Sequence, residues 1–577
     1  MNKLIVLKFG SSVLKNAEDL PNAVHEIYRW YREGYRVIAV ASAVGNSTEQ
    51  LIRASRMFTD SPEPFATAEL LATGERTSAA LLGIALDRAG VPARVVNPRD
   101  IGFEVAGSPL DSEPVLLDVP RIEELLRNHP VLIVPGFFGT DTAGRTHLLG
   151  RGGSDLTAAF IASELKARCR FLKDVDGVYE SDPAQPNAHP RRFEALGYED
   201  ALRVAGKLIQ SKAVEHFRSH GTCCEVAALA LRYHTLVHPG ATRRADAVPP
   251  KRIDVVILGL GTVGFGVYQR LCANPDQFRV IGILVRERAW QQAAGVPSEI
   301  LYTDPKALGQ LKPALVIDAL PGLQPSHALI ASTLAEGADV VSANKAVIAE
   351  FGTSFAKIAE RTEATLRYSA AVGGSAPMLE AVDHALKRGN LKSLVAVLNG
   401  TCNFLIDACA AGASLPSAIR EAQRLRFAEA DPTEDTGGRD AARKMAILAR
   451  HAFGVEAILM EVQAFDESVA DVARSAAASD QRLRQLARAA VLSDGKVVVS
   501  VAFELVGPES PFYSLCGEWN ALSIALANGE IHLVRGRGAG RWPTAEAVIG
   551  DVLEIARLRR PETNTHEQIL GSRLASA

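Results

Sequence analysis

Val255-Val-Ile-Leu-Gly-Leu-Gly-Thr-Val-Gly-Phe-Gly-Val-Tyr-Gln-Arg-Leu271 decides the fold of the second half of the chain. Residues 255–258 are an unbroken aliphatic run of strand length, and residues 265–271 have the composition of a helix. Between them, glycines at 259, 261 and 264 have the spacing of a dinucleotide-binding turn. Gly259 permits the tight turn, Gly261 lets backbone approach a pyrophosphate, and Gly264 lets helix and strand pack. Thr262 and Val263 complete the turn at the helix N-terminus, where unpaired amides face the anion. The bland alternative, a glycine-rich turn without a ligand, does not require a strand before it and a helix after it. The next strand-like run, Val280–Val285, leads to Arg286 and Arg288, where an NAD-selective site carries an acid for the ribose hydroxyl. Two arginines suit a 2′-phosphate, so NADP(H) is the expected cofactor; Glu287 between them leaves NAD as the alternative.

Working outward, the 577 residues exceed what one hydrophobic core organises, which predicts two to four domains. With 47% hydrophobic and 22% charged residues, the composition is that of a soluble globular protein. A formal charge of -3 provides no field for steering toward nucleic acid or an anionic membrane, and neither partner is expected. Seven cysteines, without zinc-ligand spacing or a disulfide framework, read as reduced thiols. Cys223 and Cys224 read as part of a short buried strand. Met1 runs directly into the strand-like Leu4–Leu7, with no basic leader, and no apolar run reaches the ~18 residues of a membrane span, so a cytoplasmic location is expected.

Strand-like runs such as Val37–Ala41 and Val131–Val134 alternate with helix-length segments to about residue 245, the rhythm of an α/β fold. Pro239-Gly240 and a basic stretch ending at Pro249-Pro250 then read as a linker. Three parts are expected: residues 1–247; residues 248–367, completed by about 541–577; and residues 368–540.

The chemistry-bearing segment of the second half is Phe427-Ala-Glu-Ala-Asp-Pro-Thr-Glu-Asp-Thr-Gly-Gly-Arg-Asp-Ala-Ala-Arg-Lys444. Asp440 and Lys444, four apart, share one face of a helix, which an exposed salt bridge would equally explain. Glu429, Asp431 and Asp435 just upstream favour an active-site rim. This segment resembles the substrate-binding signature of homoserine dehydrogenases. Asn344-Lys345 after Val340–Ala343, Ala371–Pro377, Asn399-Gly-Thr-Cys-Asn403 and Gly536–Ala545 are similar to that family's other motifs, and the resemblance covers almost all of residues 250 to 560.

The resemblance implies reversible hydride transfer between NADP(H) and aspartate 4-semialdehyde, giving L-homoserine. It implies Lys444 or Lys345 as the acid acting on the carbonyl oxygen, with Lys444 favoured and Asp440 orienting it. Glu429 and Asp435 would bind substrate, Glu429 through the substrate ammonium. Backbone at Val372, Gly374 and Ala376 resembles a Na⁺ or K⁺ site, although Ser369 stands where many relatives carry an acid.

In the first half, Lys8-Phe-Gly-Ser-Ser-Val, read as following the first strand, presents an ammonium and small residues suited to polyphosphate. Ser42–Thr48, Ala72-Thr-Gly-Glu75, Leu149-Gly-Arg-Gly-Gly-Ser-Asp155 and Lys173-Asp-Val-Asp-Gly-Val-Tyr179 follow in an order and spacing that resemble aspartokinase. The resemblance implies phosphorylation of L-aspartate by ATP with Mg²⁺. Lys8 would hold the transferred phosphoryl group and Asp155 the reacting oxygens. Thr48, Glu75, Arg151 and Ser154 would bind aspartate, and Asp174 and Lys207 would line the nucleotide side.

The first loop is one residue shorter than the family's, which also resembles kinases of other amino acids. A first half that only binds or assembles is therefore the alternative. No room remains between the halves for paired ACT-type domains, so feedback by threonine or lysine is expected to be absent. The expected fold class is α/β: an amino-acid-kinase-type open sheet fused to a Rossmann dinucleotide-binding domain with an α+β substrate domain. Both families commonly self-associate, so a homodimer or homotetramer is expected.

Overall fold

The computed structural model describes residues 3–57, 59–183, 185, 190–206, 208–229, 233–245, 252–288, 294–425, 427–428, 431–476, 479–492, 494–538 and 540–559. Contacts divide the chain into two compact units, the first drawn from residues 1–88 and 92–249 and the second from residues 89–91 and 250–559.

The first unit contains strands β1 Leu4–Phe9, β2 Arg36–Ala41, β3 Ala93–Val95, β4 Glu104–Ser108, β5 Asp111–Leu116, β6 Val131–Pro135, β7 Phe138–Thr140, β8 Thr146–Leu148, β9 Arg168–Lys173, β10 Phe193–Gly197, β11 Cys224–Ala228, β12 His234–His238 and β13 Arg243–Arg244. Nine of them form one sheet in the order β13-β10-β12-β11-β9-β1-β2-β6-β3. Its centre, β11-β9-β1-β2-β6, is parallel throughout. These strands are almost wholly buried, as aliphatic strands covered on both faces must be. Cys224 lies inside β11 as a buried strand residue, and burial pushes its thiol pKa well up. Lys8 is the penultimate residue of β1 rather than the first residue beyond it, because the ladder to β2 continues through Phe9. A smaller sheet, β5-β4-β7-β8, carries the turn that leads into the helix Gly153–Glu164.

In the second unit, β14 Ile253–Leu258, β15 Phe278–Leu284, β16 Leu301–Tyr302, β17 Leu315–Asp318, β18 Asp339–Ser342 and β19 Leu366–Arg367 form an all-parallel sheet in the order β16-β15-β14-β17-β18-β19. The chain leaves β14 for β15 on one side and later returns to β17 on the other. The carboxyl end of β14 therefore faces the crevice where doubly wound sheets bind ligands. The helix Arg541–Leu558 is tied to this part by Arg270–Glu546 at 2.5 Å and Arg367–Glu554 at 2.6 Å.

The strands β20 Leu391–Val397, β21 Ile458–Val462, β22 Arg482–Val491, β23 Val497–Val506, β24 Trp519–Leu526 and β25 Ile531–Arg537 form a second sheet, β21-β23-β22-β20-β24-β25. It is antiparallel except for β21 against β23. Among the described residues no helix is long and apolar enough to cross a membrane.

Candidate active sites

In the second unit, Gly259 has φ +90°, a backbone state that L side chains rarely adopt. A Cβ on Gly264 would stand 2.0 Å from the Gly259 carbonyl oxygen, whereas a Cβ on Gly261 would meet nothing within 4 Å. Gly264 is thus demanded by helix–turn packing, and Gly261 borders open space at the start of the helix Thr262–Cys272. Thr262 is exposed and Val263 half-buried at that N-terminus, and Arg286 and Arg288 are exposed beyond β15. These positions fit a pyrophosphate at the turn with charged side chains available at the end of the second strand.

A charge cluster stands at the start of the helix Arg439–Phe453, whose N-cap Gly438 has φ +74°. Asp440 is 2% exposed. Its carboxylate takes the Lys444 ammonium at 2.8 Å, the Asn399 side-chain amide at 2.9 Å, and the Lys345 ammonium. The pair at 440 and 444 is therefore a buried structure and not the exposed bridge that spacing alone would equally explain. Burial by itself would raise the Asp440 carboxyl, but the Lys444 and Lys345 ammoniums override it and hold it well below the usual carboxylate range. Burial pulls the Lys345 pKa down, and Asp440 more than offsets this, so Lys345 is raised and remains a cation.

Three features aim the cluster. Lys444 donates to the Leu398 carbonyl at 2.9 Å. Asn399 donates to Asp435 at 2.7 Å and caps the helix Gly400–Ala410 by accepting from the Cys402 amide at 2.8 Å. Lys345 opens the helix Lys345–Thr362, capped by Asn344. Asn344 donates to the Ser326 hydroxyl at 3.3 Å, and Asp318 accepts from Ser326 at 3.0 Å and from Ser342 at 2.9 Å. Asn399, Asn344 and Asp318 carry no assigned role in the sequence reading. The cap preference of Asn344 and Asn399 ahead of helix-length segments was the available signal.

Glu429 and Lys207 lie outside the described residues. In the glycine-rich loop, Gly374 has φ +57°, and the Ala376 carbonyl accepts the Met378 amide at 2.8 Å. The Ser369 amide donates to Asp551 at 2.9 Å and its hydroxyl to Glu380, so carboxylates do stand beside this loop, contributed from other positions. Among the described residues no group of three His, Cys, Asp or Glu side chains could hold a metal ion. A cation at Val372, Gly374 and Ala376 would rest on backbone oxygens.

In the first unit, the Lys8 ammonium meets Asp155 at 2.6 Å, with both side chains buried. Asp155 lies in the first turn of the helix Gly153–Glu164, and its other oxygen accepts the Gln210 amide at 3.1 Å. Burial would raise the Asp155 carboxyl, but Lys8 and Lys173 overcome it and the net shift is downward. Ser154 is buried beside it; a Cβ on Gly136 would come within 2.8 Å of the Ser154 Cβ.

Glu75 is 3% exposed in the middle of the helix Pro64–Arg88. It accepts the Ala43 amide at 3.3 Å, while its second oxygen is buried with no hydrogen-bond partner. Burial pushes its carboxyl up to about 7, against the Ala43 hydrogen bond and the Lys8 charge. Thr48 is half-buried near the start of the helix Ser47–Ser55, and Arg151 and Asp174 are exposed at the rim. Lys173, the first residue of the Lys173–Tyr179 motif, is buried at the end of β9.

Comparisons with known proteins agree with this division. The sequence model of the amino acid kinase family matches residues 3–218. The model of the homoserine dehydrogenase NAD binding domain matches residues 259–369, and that of homoserine dehydrogenase matches residues 377–553. Homoserine dehydrogenase from Synechocystis is 31% identical over 319 residues, covering 52% of this chain and 73% of its own. That from Corynebacterium glutamicum is 32% identical over 326 residues, covering 54% and 73%. Aspartokinase from Thermus thermophilus is 29% identical over 360 residues, covering 60% of this chain and 81% of its own. The crystal structure of a homoserine dehydrogenase from Thiobacillus denitrificans superimposes with a TM-score of 0.50 at 30% identity, covering 55% of this chain and 75% of that one. The chain belongs to the homoserine dehydrogenase family and carries an aspartokinase-type amino acid kinase domain ahead of the dehydrogenase, a bifunctional arrangement.

Proposed function

We propose that the chain catalyses two steps: ATP-dependent phosphorylation of L-aspartate to 4-phospho-L-aspartate, and NADP(H)-linked interconversion of L-aspartate 4-semialdehyde and L-homoserine. The observation that carries the dehydrogenase reading is Asp440 clamped between two lysines beside the Asn399 cap. Gly259, Gly261 and Gly264 would hold NADP(H), with Arg286 and Arg288 available to its 2′-phosphate, and the bound cofactor would supply or accept the hydride. Lys444 spends donors on Asp440 and on the Leu398 carbonyl, which fixes its ammonium to give a proton to the developing alkoxide or take it back. Lys345, raised in pKa, adds fixed positive charge. Asp435 and Glu429 serve the substrate's amino-acid end.

In the first unit, Lys8 steadies the transferred phosphoryl group and Asp155 positions Lys8 and the reacting oxygens. Thr48, Glu75, Arg151 and Ser154 take aspartate, and Asp174 with Lys207 takes the nucleotide. Bound Mg²⁺ would neutralise charge on ATP, and no protein nucleophile is required. The buried, half-satisfied Glu75 supports a working site over a retired one, because an ionised carboxylate there has no ion-pair partner among the described residues until an ammonium binds.

The test is paired. The purified chain should turn over ATP with aspartate and oxidise NADPH with aspartate 4-semialdehyde. K8M should abolish only the first activity. D440N should lower kcat of the second by about 100-fold or more and leave the first intact. NADPH oxidation without aspartate-dependent ATP turnover would restrict the first unit to binding or assembly.

A further inference from the structure

Strands β1 and β9 are parallel neighbours with Phe9 opposite Leu172, so the next residues, Gly10 and Lys173, meet at the carboxyl edge of the sheet. A Cβ on Gly10 would stand 3.1 Å from the Lys8 ammonium nitrogen and 3.7 Å from that of Lys173. Two ammoniums thus border one small space, which a glycine leaves open. Both are buried, Lys8 at 6% and Lys173 at 9% exposure.

On the neighbouring strand β11 a buried charge is matched: Glu225 takes Arg168 at 2.5 Å and Arg170 at 2.7 Å. Here two lysines face the buried Asp155, which is engaged with Lys8, while Glu75, the other buried carboxylate that feels Lys8, is raised to about 7 and so holds its proton part of the time. Lys173 makes no ion pair among the described residues, and the nearby Asp174 side chain is exposed. A surplus buried cation is costly without an anion. Burial first, and the Lys8 charge second, pull the Lys173 pKa down to about 8, the same imbalance expressed as proton affinity.

We propose that Lys173 is a second phosphate ligand of the kinase site, holding the terminal phosphates of a nucleoside triphosphate together with Lys8. This rests on the kinase reading given above. Lys173 donates hydrogen bonds to non-bridging phosphate oxygens, keeps its proton, and forms no covalent bond. It places positive charge beside Gly10, where the loop after β1 begins. Lys173 belongs to a different strand from that loop, so the charge does not depend on the loop's length.

The experiment measures binding of the Mg²⁺ complex of AMPPNP to the full chain by calorimetry. Aspartate-dependent ATP turnover and ligand-free melting are recorded alongside for wild type, K173M and K173R. K173M is expected to bind at least about tenfold more weakly and to turn over at least about 100-fold more slowly. K173R should bind within about threefold of wild type, since its charge is kept. Ligand-free K173M should melt at or above the wild type, because a charge without a partner is removed; a lysine with a purely structural role would move melting the other way. Wild-type affinity in K173M, or weak binding in both variants with melting well below wild type, overturns the proposal. If wild type binds nucleotide without turnover, the kinase reading fails and Lys173 is judged on the binding ratio alone. No binding by wild type overturns both.

Discussion

At the residue scale, Glu75 is a buried carboxyl whose burial costs stability. Its carboxyl is raised from 4.5 to about 7, chiefly by burial. The folded chain therefore holds a proton on Glu75 that the unfolded chain releases between these values. Stability from this residue falls as pH rises from about 4.5 to about 7, and the full cost is present above that range. E75Q, which keeps an acceptor for the Ala43 amide, should be more stable than wild type at pH 8 by about 2–3 kcal/mol and nearly equal to it at pH 4.5, read by denaturant unfolding. The proposed aspartate ammonium would pull this pKa back down. Aspartate binding near pH 6.5 should thus release a proton, seen as a calorimetric heat that changes with the buffer's ionisation enthalpy. Equal stability of E75Q and wild type at both pH values would refute the cost assigned to burial. The identity of this residue was legible in the Ala72–Glu75 motif. Its raised pKa was not, because that follows from what packs around the middle of a long helix.

At the scale of elements, the turn between β14 and the helix Thr262–Cys272 was almost fully legible, since glycine spacing is a local property and the clash that demands it is local too. A Cβ on Gly264 would sit 2.0 Å from the Gly259 carbonyl oxygen, which is backbone and cannot move aside cheaply. G264A is expected to weaken NADPH binding by about 100-fold or more and to leave ATP turnover with aspartate unchanged, measured by nucleotide fluorescence and the two assays. The helix Arg439–Phe453 was legible in its one-face spacing of Asp440 and Lys444. The same spacing could not reveal that Lys345, at the start of another helix, closes on Asp440 from the other side. Helix periodicity fixes neighbours three and four residues away; partners ninety-five residues away depend on how two helices and the β20 sheet pack.

For the whole molecule, β13 ends at Arg244 and β14 begins at Ile253, so the amino acid kinase sheet passes to the dinucleotide sheet without space for a regulatory domain between them. Neither activity should therefore change more than about twofold with millimolar threonine or lysine, whereas allosteric coupling of about 1–3 kcal/mol would give 5–150-fold effects. Inhibition of that size in either purified activity would show that the effector site lies inside one of the units. The α/β alternation, the dinucleotide turn and the one-face spacing of Asp440 and Lys444 were written in the sequence, because strand rhythm, glycine positions and same-helix spacings are set by neighbours along the chain. Only the tertiary structure decided which charges meet. Lys345 joins Lys444 on Asp440, Asn399 links Asp435 to Asp440, and Lys173 comes beside Lys8 across the β1–β9 register. Those encounters depend on strand order and packing between distant segments, which residue types and local spacing do not constrain.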